Sequence, residues 1–541
     1  MHNLRELGRY TMLPTIWKYA APPPPLRSFC TSSKTTKKSS SSKSPQPATT
    51  AAAQPCPHRY AIIGGGFAGV AVAWHLMKLS TPQNPIQIEL FDAYGLGAGG
   101  SGAAAGLLHP YTPRGKLLWQ GLPAFQASLD LVNAAEEAHN VLNNKFENKT
   151  RKRKQFVWRH GLLRPARTAK QAKDFSRHST SKKNDLGSKD ESSLVCDASS
   201  IETYEELVRL VPGLDPKLLF PDIHLKEESK ASGLATTPTA SAGFFVQQAV
   251  VINPRGYLTA LWESCLLLAR RSSSLASAQL RQESILSLAQ LESQSGRYDG
   301  IVVAAGAAVD SIVETNGVLT LDLCQGYTLD MILENKREEE GGQSKQSLSY
   351  PAGAPGLLGS PYISPQGTHN LVVGATQRHE CALDEAVAAL GPGSLQEKEN
   401  EEWKGAVEAL VPAAAKLWPP LGVGFSSSSG RDGKNSLPNT KTWQVATVRS
   451  GYRALPQRTA EGSIPYAGKL VYPITAVGED RSTKERKHNW WVVGGLGARG
   501  LVYHGWLGKI VAAGVVEESD EQVPKELRRW RKEENKNNIA T

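Results

Sequence analysis

The sequence predicts an α/β fold (α+β overall) in which one domain is built on a parallel sheet. Three separated stretches carry this prediction: a strand, a glycine turn and an apolar helix at residues 60–76, a fully apolar strand before a glycine turn at 298–307, and a strand, glycine loop and helix at 490–516. A fully apolar strand beside a strand–turn–helix unit is typical of a parallel sheet covered on both faces. Because these stretches lie far apart in the sequence, this domain is assembled from separate segments. The residues between them must form another part of the fold.

The first glycine turn has the spacing of a dinucleotide-binding loop. Gly64, Gly66 and Gly69 form a G-x-G-x-x-G pattern, and Phe67 and Ala68 open the following helix. The glycines allow a tight turn, a close approach of backbone to a pyrophosphate and close packing of helix on strand. Free N–H groups and the positive dipole end at the helix start favour an anion. We therefore predict that this turn holds the diphosphate of a dinucleotide.

A carboxylate follows at the distance that this interpretation requires. The strand at 86–91 ends at Asp92, 22 intervening residues lie between Gly69 and Asp92, and Ala93 comes next. A carboxylate roughly 20 residues beyond the glycines binds a ribose 2′-hydroxyl, and aspartate there disfavours a 2′-phosphate. FAD or NAD is therefore predicted ahead of NADP. The alternative is that Asp92 merely caps the next turn.

Two other small-residue segments are predicted to touch the same ligand. Residues 95–108 consist of Gly, Ala and Leu with one Ser, and they lack proline and charge. Such a segment favours close packing against a ligand over a flexible loop. Within it, Ser101 offers a hydroxyl and Gly102 a free backbone. Gly306, in the turn after the strand at 301–303, is the other candidate.

A second helix start near the C-terminus indicates a flavin. A glycine loop at 494–501 leads into a helix that runs to about residue 516, and its candidate ligand contacts are Gly497, Arg499, Gly500 and Leu501. Backbone N–H groups at such a start can stabilise the negative charge of a reduced isoalloxazine ring. A nicotinamide fold needs only one such turn.

Most of the net charge of +11 belongs to the N-terminal segment. Residues 1–58 hold eight Lys or Arg residues and one acidic residue, are rich in Ser, Thr, Ala and Pro, and lack the apolar core of a secretory signal. This is the profile of an organelle transit peptide, and the Ser and Thr runs favour a chloroplast over a mitochondrion. The alternative is a disordered tail that stays attached. No apolar run reaches the roughly 18 to 20 residues of a membrane span.

The rest of the composition predicts neither a metal site nor a disulfide framework. The six cysteines are scattered without C-x-x-C spacing, so we interpret them as reduced thiols. Polar, Lys/Ser-rich residues 166–193 predict a disordered insertion. Similar polar interruptions occur at 334–347, 426–441 and 478–488, and a charged tail with helical character follows residue 517.

Taken in order, these motifs resemble the D-amino-acid oxidase-like (DAO) family of FAD-dependent oxidoreductases. The resemblance covers residues 59–516 and rests on 62–69, Asp92, 99–107, 253–256, 301–306, 325–326, 362–367, 373–376 and 494–501. The Gly-Leu-Gly-Ala-Arg-Gly-Leu segment is most similar to the oxidase half of the bacterial bifunctional enzyme that modifies wobble uridine in tRNA. Glycine oxidase is another close relative.

The resemblance implies the domain arrangement. A Rossmann-like FAD-binding domain would comprise residues 59–115, 250–325 and 465–516, and an interleaved, mainly antiparallel β substrate domain would comprise 116–249 and 326–464. The transit peptide 1–58 and the tail 517–541 flank them. Relatives that attach flavin covalently use a cysteine close to a carboxylate-binding arginine, and residues 448–455 contain none. The FAD is therefore expected to be non-covalent.

The resemblance also implies catalytic residues. In this family an arginine in a Gly-x-Arg segment grips the substrate carboxylate, and Arg453 matches it. A guanidinium fork can hold a carboxylate with two parallel hydrogen bonds; the alternative is a structural ion pair. Family members usually carry proline directly after this arginine, where this chain has Ala454. They also carry a Thr-x-Asp-Gly segment, where residues 459–462 have glutamate in place of the aspartate. Arg499 is the second candidate, at the flavin edge or beside substrate, and His109 faces the ring or packs in its loop.

The implied reaction is oxidation of a carbon–nitrogen bond beside a carboxylate. Hydride would pass from the α-carbon of an amine or amino acid to flavin N5, giving an imine that water hydrolyses, with O2 as acceptor and H2O2 as product. The first alternative is oxidative removal of a carboxymethyl group from a modified tRNA uridine, with tRNA as partner. Others are a flavin-bearing assembly factor without turnover and an NAD dehydrogenase.

Overall fold

A computed structural model provides the structure of the chain. It describes residues 56–145, 154–184, 196–215, 241–334, 348–388, 401–422, 442–471 and 488–531. The predicted transit peptide lies outside these residues except for 56–58, so the chloroplast location stays a prediction. The three polar interruptions between 334 and 488 also lie almost wholly outside them. None of the helices in the described ranges combines the length and the apolar character that crossing a bilayer requires.

Helices and strands alternate through the chain. The helices are α1 (Phe67–Lys78), α2 (Gly100–Ala103), α3 (Gly121–Lys145), α4 (Ala169–Asn184), α5 (Tyr204–Leu210), α6 (Pro254–Ser272), α7 (Leu288–Ser295), α8 (Leu383–Ala388), α9 (Glu401–Leu417), α10 (Gly500–Glu517) and α11 (Lys525–Arg528). The strands are β1 (His58–Ile63), β2 (Ile86–Phe91), β3 (Leu107–Leu108), β4 (Val157–Trp158), β5 (Leu162–Pro165), β6 (Ala198–Ile201), β7 (Gly243–Val246), β8 (Val250–Ile252), β9 (Ser277–Arg281), β10 (Gly300–Val303), β11 (Leu321–Glu334), β12 (Gly356–Leu357), β13 (Tyr362–Pro365), β14 (Asn370–Gly374), β15 (Thr442–Pro456), β16 (Arg458–Thr459), β17 (Gly462–Ser463), β18 (Tyr466–Lys469) and β19 (Trp490–Gly494).

The predicted parallel sheet is present, which confirms the fold class. Its strand order is β18-β19-β10-β1-β2-β9, and only the edge pair β18–β19 is antiparallel. Strand β10 is buried along its whole length, as its uninterrupted apolar sequence predicts. The six strands come from the segments assigned to the FAD-binding domain, apart from His58 at the start of β1, which was assigned to the transit peptide. The sheet thereby joins residues that lie more than 400 positions apart.

Glycines allow the helices beside this sheet to approach one another closely. Helix α10 packs against both α1 and α3. A Cβ atom on Gly508 would lie 2.8 Å from the Ala71 Cβ on α1, and one on Gly505 would lie 2.5 Å from the Ala127 carbonyl oxygen on α3. Helix α6 begins as predicted, because the Asn253 side chain accepts the Gly256 N–H at 2.9 Å and Pro254 occupies the first turn.

A second, mainly antiparallel sheet contains eight strands. Its order is β15-β11-β14-β13-β12-β5-β7-β6, and only β12–β5 is parallel. The strands come from the segments assigned to the substrate domain, apart from residues 321–325 at the start of β11. This agrees with an interleaved arrangement, whereas the residue bounds of the two domains stay a prediction. The remaining described strands form a three-stranded sheet in the order β3-β8-β4 and a two-stranded ribbon of β16 and β17.

The disordered insertion predicted at 166–193 is wrong for much of its length. Residues 169–184 form α4, whereas 185–193 lie outside the described residues. The helix docks because two apolar residues three positions apart, Ala172 and Phe175, are fully buried. Phe175 packs against Phe244 of β7, with ring centroids 5.4 Å apart. The polar composition of the segment predicted disorder because these two apolar residues are too few to change its average.

The charged tail folds back on the edge of the parallel sheet as far as residue 531. Asp520 accepts the Lys469 backbone N–H at 3.1 Å and pairs with Arg528 and Arg531. Leu527 is fully buried in α11, the only part of the predicted tail helix that the described residues contain. The tail thus covers the edge strand β18 with a network around one carboxylate.

A buried histidine ties α10 to α3 and α6, and it predicts a pH effect on stability. The neutral His504 ring donates from Nδ1 to the Leu501 carbonyl at 2.8 Å and accepts the Tyr257 hydroxyl at Nε2 at 2.6 Å. Burial lowers the pKa of His504 from 6.5 to about 4. Between these two pKa values the unfolded chain binds a proton at His504 that the folded chain does not bind. The contribution of His504 to the free energy of unfolding is therefore fully present above pH 6.5 and is lost as the pH falls toward the folded pKa.

We expect His504 to contribute a loss of about 2 kcal/mol in the free energy of unfolding between pH 7 and pH 5. In His504→Gln this contribution disappears, although the amide can still accept the Tyr257 hydroxyl. Denaturant titrations of both proteins at the two pH values measure the difference. A stability gap between them that does not change with pH would contradict the assignment.

Candidate functional site

A cavity of about 550 Å³ lies between the two large sheets and collects most of the predicted site residues. The predicted residues that line it are Gly64, Gly66, Phe67, Ala68, Asp92, Ala93, Ser101, Gly306, Arg453, Gly497, Arg499, Gly500 and Leu501. Gly69 and Gly102 stand behind the lining and support it. The loop–helix starts at 64–67 and 497–500, which are remote in sequence, therefore face one space.

The first glycine loop is as tight as its pattern predicts. Gly64 has φ +112°, and a Cβ atom there would lie 2.4 Å from the Ala304 carbonyl oxygen. A Cβ atom on Gly69 would lie 1.9 Å from the Gly64 carbonyl oxygen, so no side chain fits between α1 and the loop. No side chain caps α1 at Gly66. Apart from the Phe67 N–H, which the Ser101 hydroxyl accepts, the first turn of the helix can therefore offer N–H groups to a ligand in the cavity.

Ser101 lies across from this helix start. Its Oγ accepts the Phe67 N–H at 3.1 Å, which leaves the hydroxyl hydrogen available to a ligand oxygen. A Cβ atom on Gly66 would lie 2.8 Å from the same Oγ, so the missing side chain is what lets the two loops meet. Gly102 supports the second loop from behind, since its Cβ would lie 2.0 Å from the Gly97 carbonyl oxygen. The small-residue segment is thus packed against the glycine loop rather than loose, and its contact with a ligand stays a prediction.

Asp92 caps its own turn and also holds the glycine loop. One carboxylate oxygen accepts the N–H groups of Tyr94 and Gly95 at 3.0 and 2.9 Å, and the other accepts the Gly65 N–H at 2.7 Å. The capping alternative is therefore realised in the structure. It does not conflict with ribose binding, because a carboxylate offers about four acceptor sites and Asp92 lines the cavity.

The second helix start lines the same cavity. A short 3₁₀ helix at Gly497–Arg499 runs directly into α10, and Gly495 and Gly497 have φ +67° and +53°. No side chain caps α10 at Arg499. A Cβ atom on Gly495 would lie 3.1 to 3.2 Å from side-chain atoms of Tyr466, Leu321 and Pro456. These packed neighbours hold the loop in its left-handed turn.

Arg453 reaches the cavity from near the C-terminal end of β15. Its backbone is opposite Cys324 on β11, and its guanidinium occupies space left by Gly326, whose Cβ would lie 3.0 Å from the Arg453 Nη2. Arg449, four residues earlier on the same strand, has a different environment: it donates to the Gly102 carbonyl at 2.6 Å and pairs with Asp330 at 2.6 Å. Among the described residues no carboxylate forms such a pair with Arg453.

The structure adds Arg164, which sequence reasoning missed. Arg164 lies on β5 and lines the same cavity as Arg499 and His109. Burial, reinforced by the charge of Arg499, lowers the pKa of Arg164 to about 10. Burial likewise lowers the pKa of Arg499. The available signal was a lone arginine inside the otherwise apolar strand 162–165.

His109 lines the cavity and is also packed in its loop. Its Nδ1 accepts the Tyr111 N–H at 3.3 Å, so the neutral ring carries its proton on Nε2. Burial, then the charges of Arg499 and Arg164, hold the pKa of His109 well below its ordinary value. His109 therefore stays neutral. It can donate a hydrogen bond to a ligand, but it brings no positive charge to the cavity.

The arrangement fits a flavin dinucleotide. Two helix starts line one cavity at two places, and the glycines at both places place no side chain in the space that the ligand would occupy. Among the described residues no cluster of His, Cys, Asp or Glu could hold a metal ion. The five cysteines within the described ranges are all free thiols.

Comparisons with known proteins agree with this geometry. The family model described as DAO, FAD dependent oxidoreductase, matches residues 59–513. Among solved structures, the chain is similar to glycine oxidase from Geobacillus kaustophilus, with 18% identity, a TM-score of 0.51 and coverage of 85% of this chain and 95% of that chain. It is also similar to L-proline dehydrogenase from P. horikoshii, with 13% identity, a TM-score of 0.52 and coverage of 88% and 98%. L-Amino acid deaminase from Proteus myxofaciens, in complex with anthranilate, matches with 12% identity, a TM-score of 0.52 and coverage of 90% and 96%.

At these identities the structural likeness shows the fold alone, and no curated protein sequence matches the chain. The family match is different, since it spans most of the sequence and both halves of the cavity. It makes the protein an enzyme with FAD as its cofactor. The chain belongs to the DAO family of FAD-dependent oxidoreductases.

Proposed function

We propose that this enzyme oxidises the carbon–nitrogen bond of an amine or amino acid whose carboxylate is held by Arg453. The observation that carries the proposal is the position of an arginine without an ion-pair partner among the described residues, in the cavity that both helix starts line. A guanidinium that lines a cavity without a carboxylate partner can take an anion there, and its planar fork matches a carboxylate with two parallel hydrogen bonds. The solved oxidases and dehydrogenases of amino acids that share this fold are consistent with such a substrate.

The cavity supports orientation rather than acid–base chemistry. Bound FAD supplies the hydride acceptor, and O2 would reoxidise it with formation of H2O2. Arg453 would fix the carboxylate and thereby place the neighbouring α-carbon, which is the atom that loses hydride. His109 stays neutral, and burial raises the pKa of Tyr362 to about 12 although Arg453 and Arg449 oppose the shift. The substrate amine would therefore bind already deprotonated and leave as an imine, which water hydrolyses.

The test begins with cofactor and turnover. Residues 57–541, which keep the whole of β1, are expressed. Acid precipitation should release FAD into the supernatant, since we propose a non-covalent cofactor. Glycine, sarcosine, D-amino acids and proline are then screened by anaerobic bleaching of the flavin and by peroxide formation in air. Bleaching by at least one of these amines supports the proposal. Peroxide with the same amine supports O2 as acceptor, and bleaching without peroxide assigns another acceptor.

Three outcomes would overturn the proposal. A flavin that stays oxidised with every amine would favour an assembly factor without turnover. Oxidation only of a carboxymethyl-modified tRNA, with affinity that falls steeply as salt rises, would favour the tRNA reaction. A colourless protein that binds NAD would favour a nicotinamide enzyme.

A further inference from the structure

The C-terminal tail, residues 518–531, lies beyond the match to the family model, which ends at residue 513. A terminal extension is poorly ordered unless its side chains tie it down, and this one is tied down. Leu527 is fully buried, Val523 is 2% exposed, and Trp530 packs against the apolar cluster that contains Tyr466. The tail is therefore a fixed part of this fold, in addition to the part that the family model covers.

Arg529 of the tail contacts the chain where β18 begins. Its guanidinium lies over the ring of Tyr466, with the Cζ atom 4.2 Å from the ring centroid. It donates from Nη1 to the Pro465 carbonyl oxygen at 2.9 Å and from Nη2 to the Ile464 carbonyl oxygen. A cation–π contact and two charge-assisted hydrogen bonds together fix the planar group in one orientation. The tail therefore holds Tyr466 by its ring and by the backbone before it.

A second contact holds the other end of β18. Asp520 accepts the Lys469 N–H at 3.1 Å, and Arg531 donates to the Lys469 carbonyl oxygen and pairs with Asp520. A Cβ atom on Gly468 would lie 3.1 Å from the Arg531 Nη2, so tail and strand lie in close contact. Both ends of a four-residue edge strand are thus attached to the tail.

Tyr466 also touches the second glycine loop of the cofactor cavity. A Cβ atom on Gly495 would lie 3.1 Å from the Tyr466 Cδ2, so the ring occupies the space beside this glycine. Gly495 has φ +67°, and it lines the cavity together with Leu496 and Gly497. Because glycine is the most flexible residue, such a turn keeps its shape only where neighbours hold it. One tyrosine therefore connects the tail, through Arg529, with the wall of the cavity.

We propose that the C-terminal tail is part of the cofactor site: Arg529 positions the 495–497 loop through Tyr466, and the protein holds FAD tightly only while the tail is docked. Arg529 is a positioning residue, because none of the described residues 518–531 lines the cavity. The proposal depends neither on the substrate nor on Arg453, since the family match alone makes FAD the cofactor. By linkage, bound FAD must strengthen the docking of the tail by the same factor by which docking strengthens FAD binding.

The first measurement is the rate at which FAD leaves the holoenzyme. The purified full chain is diluted well below its melting temperature, and the fluorescence of the released flavin is followed. Arg529→Gln removes both the charge over the ring and the fork, so FAD should leave about 5- to 50-fold faster. Arg529→Lys keeps a charge near the Tyr466 ring but offers no fork for the two carbonyl oxygens, so it should restore part of the retention.

Arg281→Gln is the matched control. Arg281 pairs with Glu89 at 3.0 Å on β9, which is the opposite edge of the same sheet, and its side chain does not line the cavity. This variant should release FAD within about twofold of the wild-type rate. A chain that ends at Glu517 should release FAD at least as fast as Arg529→Gln. If that shortened chain does not fold, the point variants decide.

Hydrogen exchange measures the reciprocal effect, which a merely structural tail would not show. Amide exchange of residues 519–531 is compared in the full chain with its FAD and after removal of the FAD, with α4 as the reference segment because it does not line the cavity. FAD should slow exchange in the tail by about the factor found for release, and it should change α4 little.

Two results would overturn the proposal. One is an Arg529→Gln holoenzyme that melts at a lower temperature but releases FAD at the wild-type rate. The other is equal slowing of exchange in the tail and in α4. Either result would make the tail a cover for the sheet edge without a role in holding the cofactor.

Discussion

Arg453→Lys is expected to lower kcat/KM by about 10²- to 10³-fold while the protein keeps its FAD. Lysine retains the positive charge, but it offers a single ammonium in place of a planar fork, so the carboxylate loses its second hydrogen bond and its fixed direction. The α-carbon is then poorly placed for hydride loss, which lowers kcat as well as affinity. Steady-state kinetics on the amine identified by the screen, together with the flavin content of the purified variant, measure the effect.

Arg449 supplies the matched control for this substitution. It lies on the same strand four residues earlier, but its guanidinium is already engaged by Asp330 and by the Gly102 carbonyl oxygen. Arg449→Lys should therefore lower the melting temperature and leave KM within a few-fold of the wild-type value. If Arg453→Lys instead lost stability or FAD and kept its kcat/KM, Arg453 would be a structural residue and the carboxylate anchor would have to be sought elsewhere.

The elements around the glycine turns could be predicted because their signals are local. Strand β2 begins and ends where the sequence predicts, at 86–91, and the capping pair Asn253 and Pro254 opens α6. A G-x-G-x-x-G pattern needs only its neighbours to specify a strand, a turn and a helix start. The convergence of Gly64 and Gly497 on one cavity agrees with the flavin prediction, and it depends on the order of strands in the parallel sheet.

What could not be predicted depends on contacts between distant segments. Arg164 is an ordinary residue of a short strand until β5 takes its place beside β12 and β7, which turns its side chain into a wall of the cavity. The same holds for α4, whose polar sequence hides the two residues that dock it. Asp92 shows a third limit: spacing identified the residue, but only the structure shows that its carboxylate also clamps the Gly65 N–H.

Arg453 stands between these cases. Strand position does not distinguish it from Arg449, since both lie on one long strand; only the Gly-x-Arg segment of the family does. The family resemblance selected Arg453, and the structure adds the physical difference, which is that Asp330 neutralises one of the two arginines. A sequence motif does not show which arginine has an ion-pair partner. That information is needed to tell an arginine that binds substrate from one that stabilises the fold.

Gly69→Ala is expected to yield a protein without FAD. The new Cβ would lie 1.9 Å from the Gly64 carbonyl oxygen and 3.1 Å from its carbon, and both are backbone atoms that no side-chain rotation can move. Helix α1 would have to shift away from the loop, which opens the helix start that the pyrophosphate needs. We expect a loss of about 3 kcal/mol in the free energy of unfolding as well, as for other overpacked positions. Flavin content after purification and a titration of the apoprotein with FAD measure the first effect, and thermal unfolding measures the second.

Gly405→Ala makes the same chemical change where nothing opposes it. Gly405 lies exposed in α9, and no heavy atom would come within 4 Å of its Cβ. Alanine there should bind FAD as the wild-type protein does and gain about 1 kcal/mol from its higher helix propensity. The contrast between the two variants isolates close approach of backbone to backbone as the reason for glycine at position 69. A Gly69→Ala protein that is purified yellow, with wild-type affinity for FAD, would show that the loop can yield, and the pyrophosphate cradle at α1 would lose its physical basis.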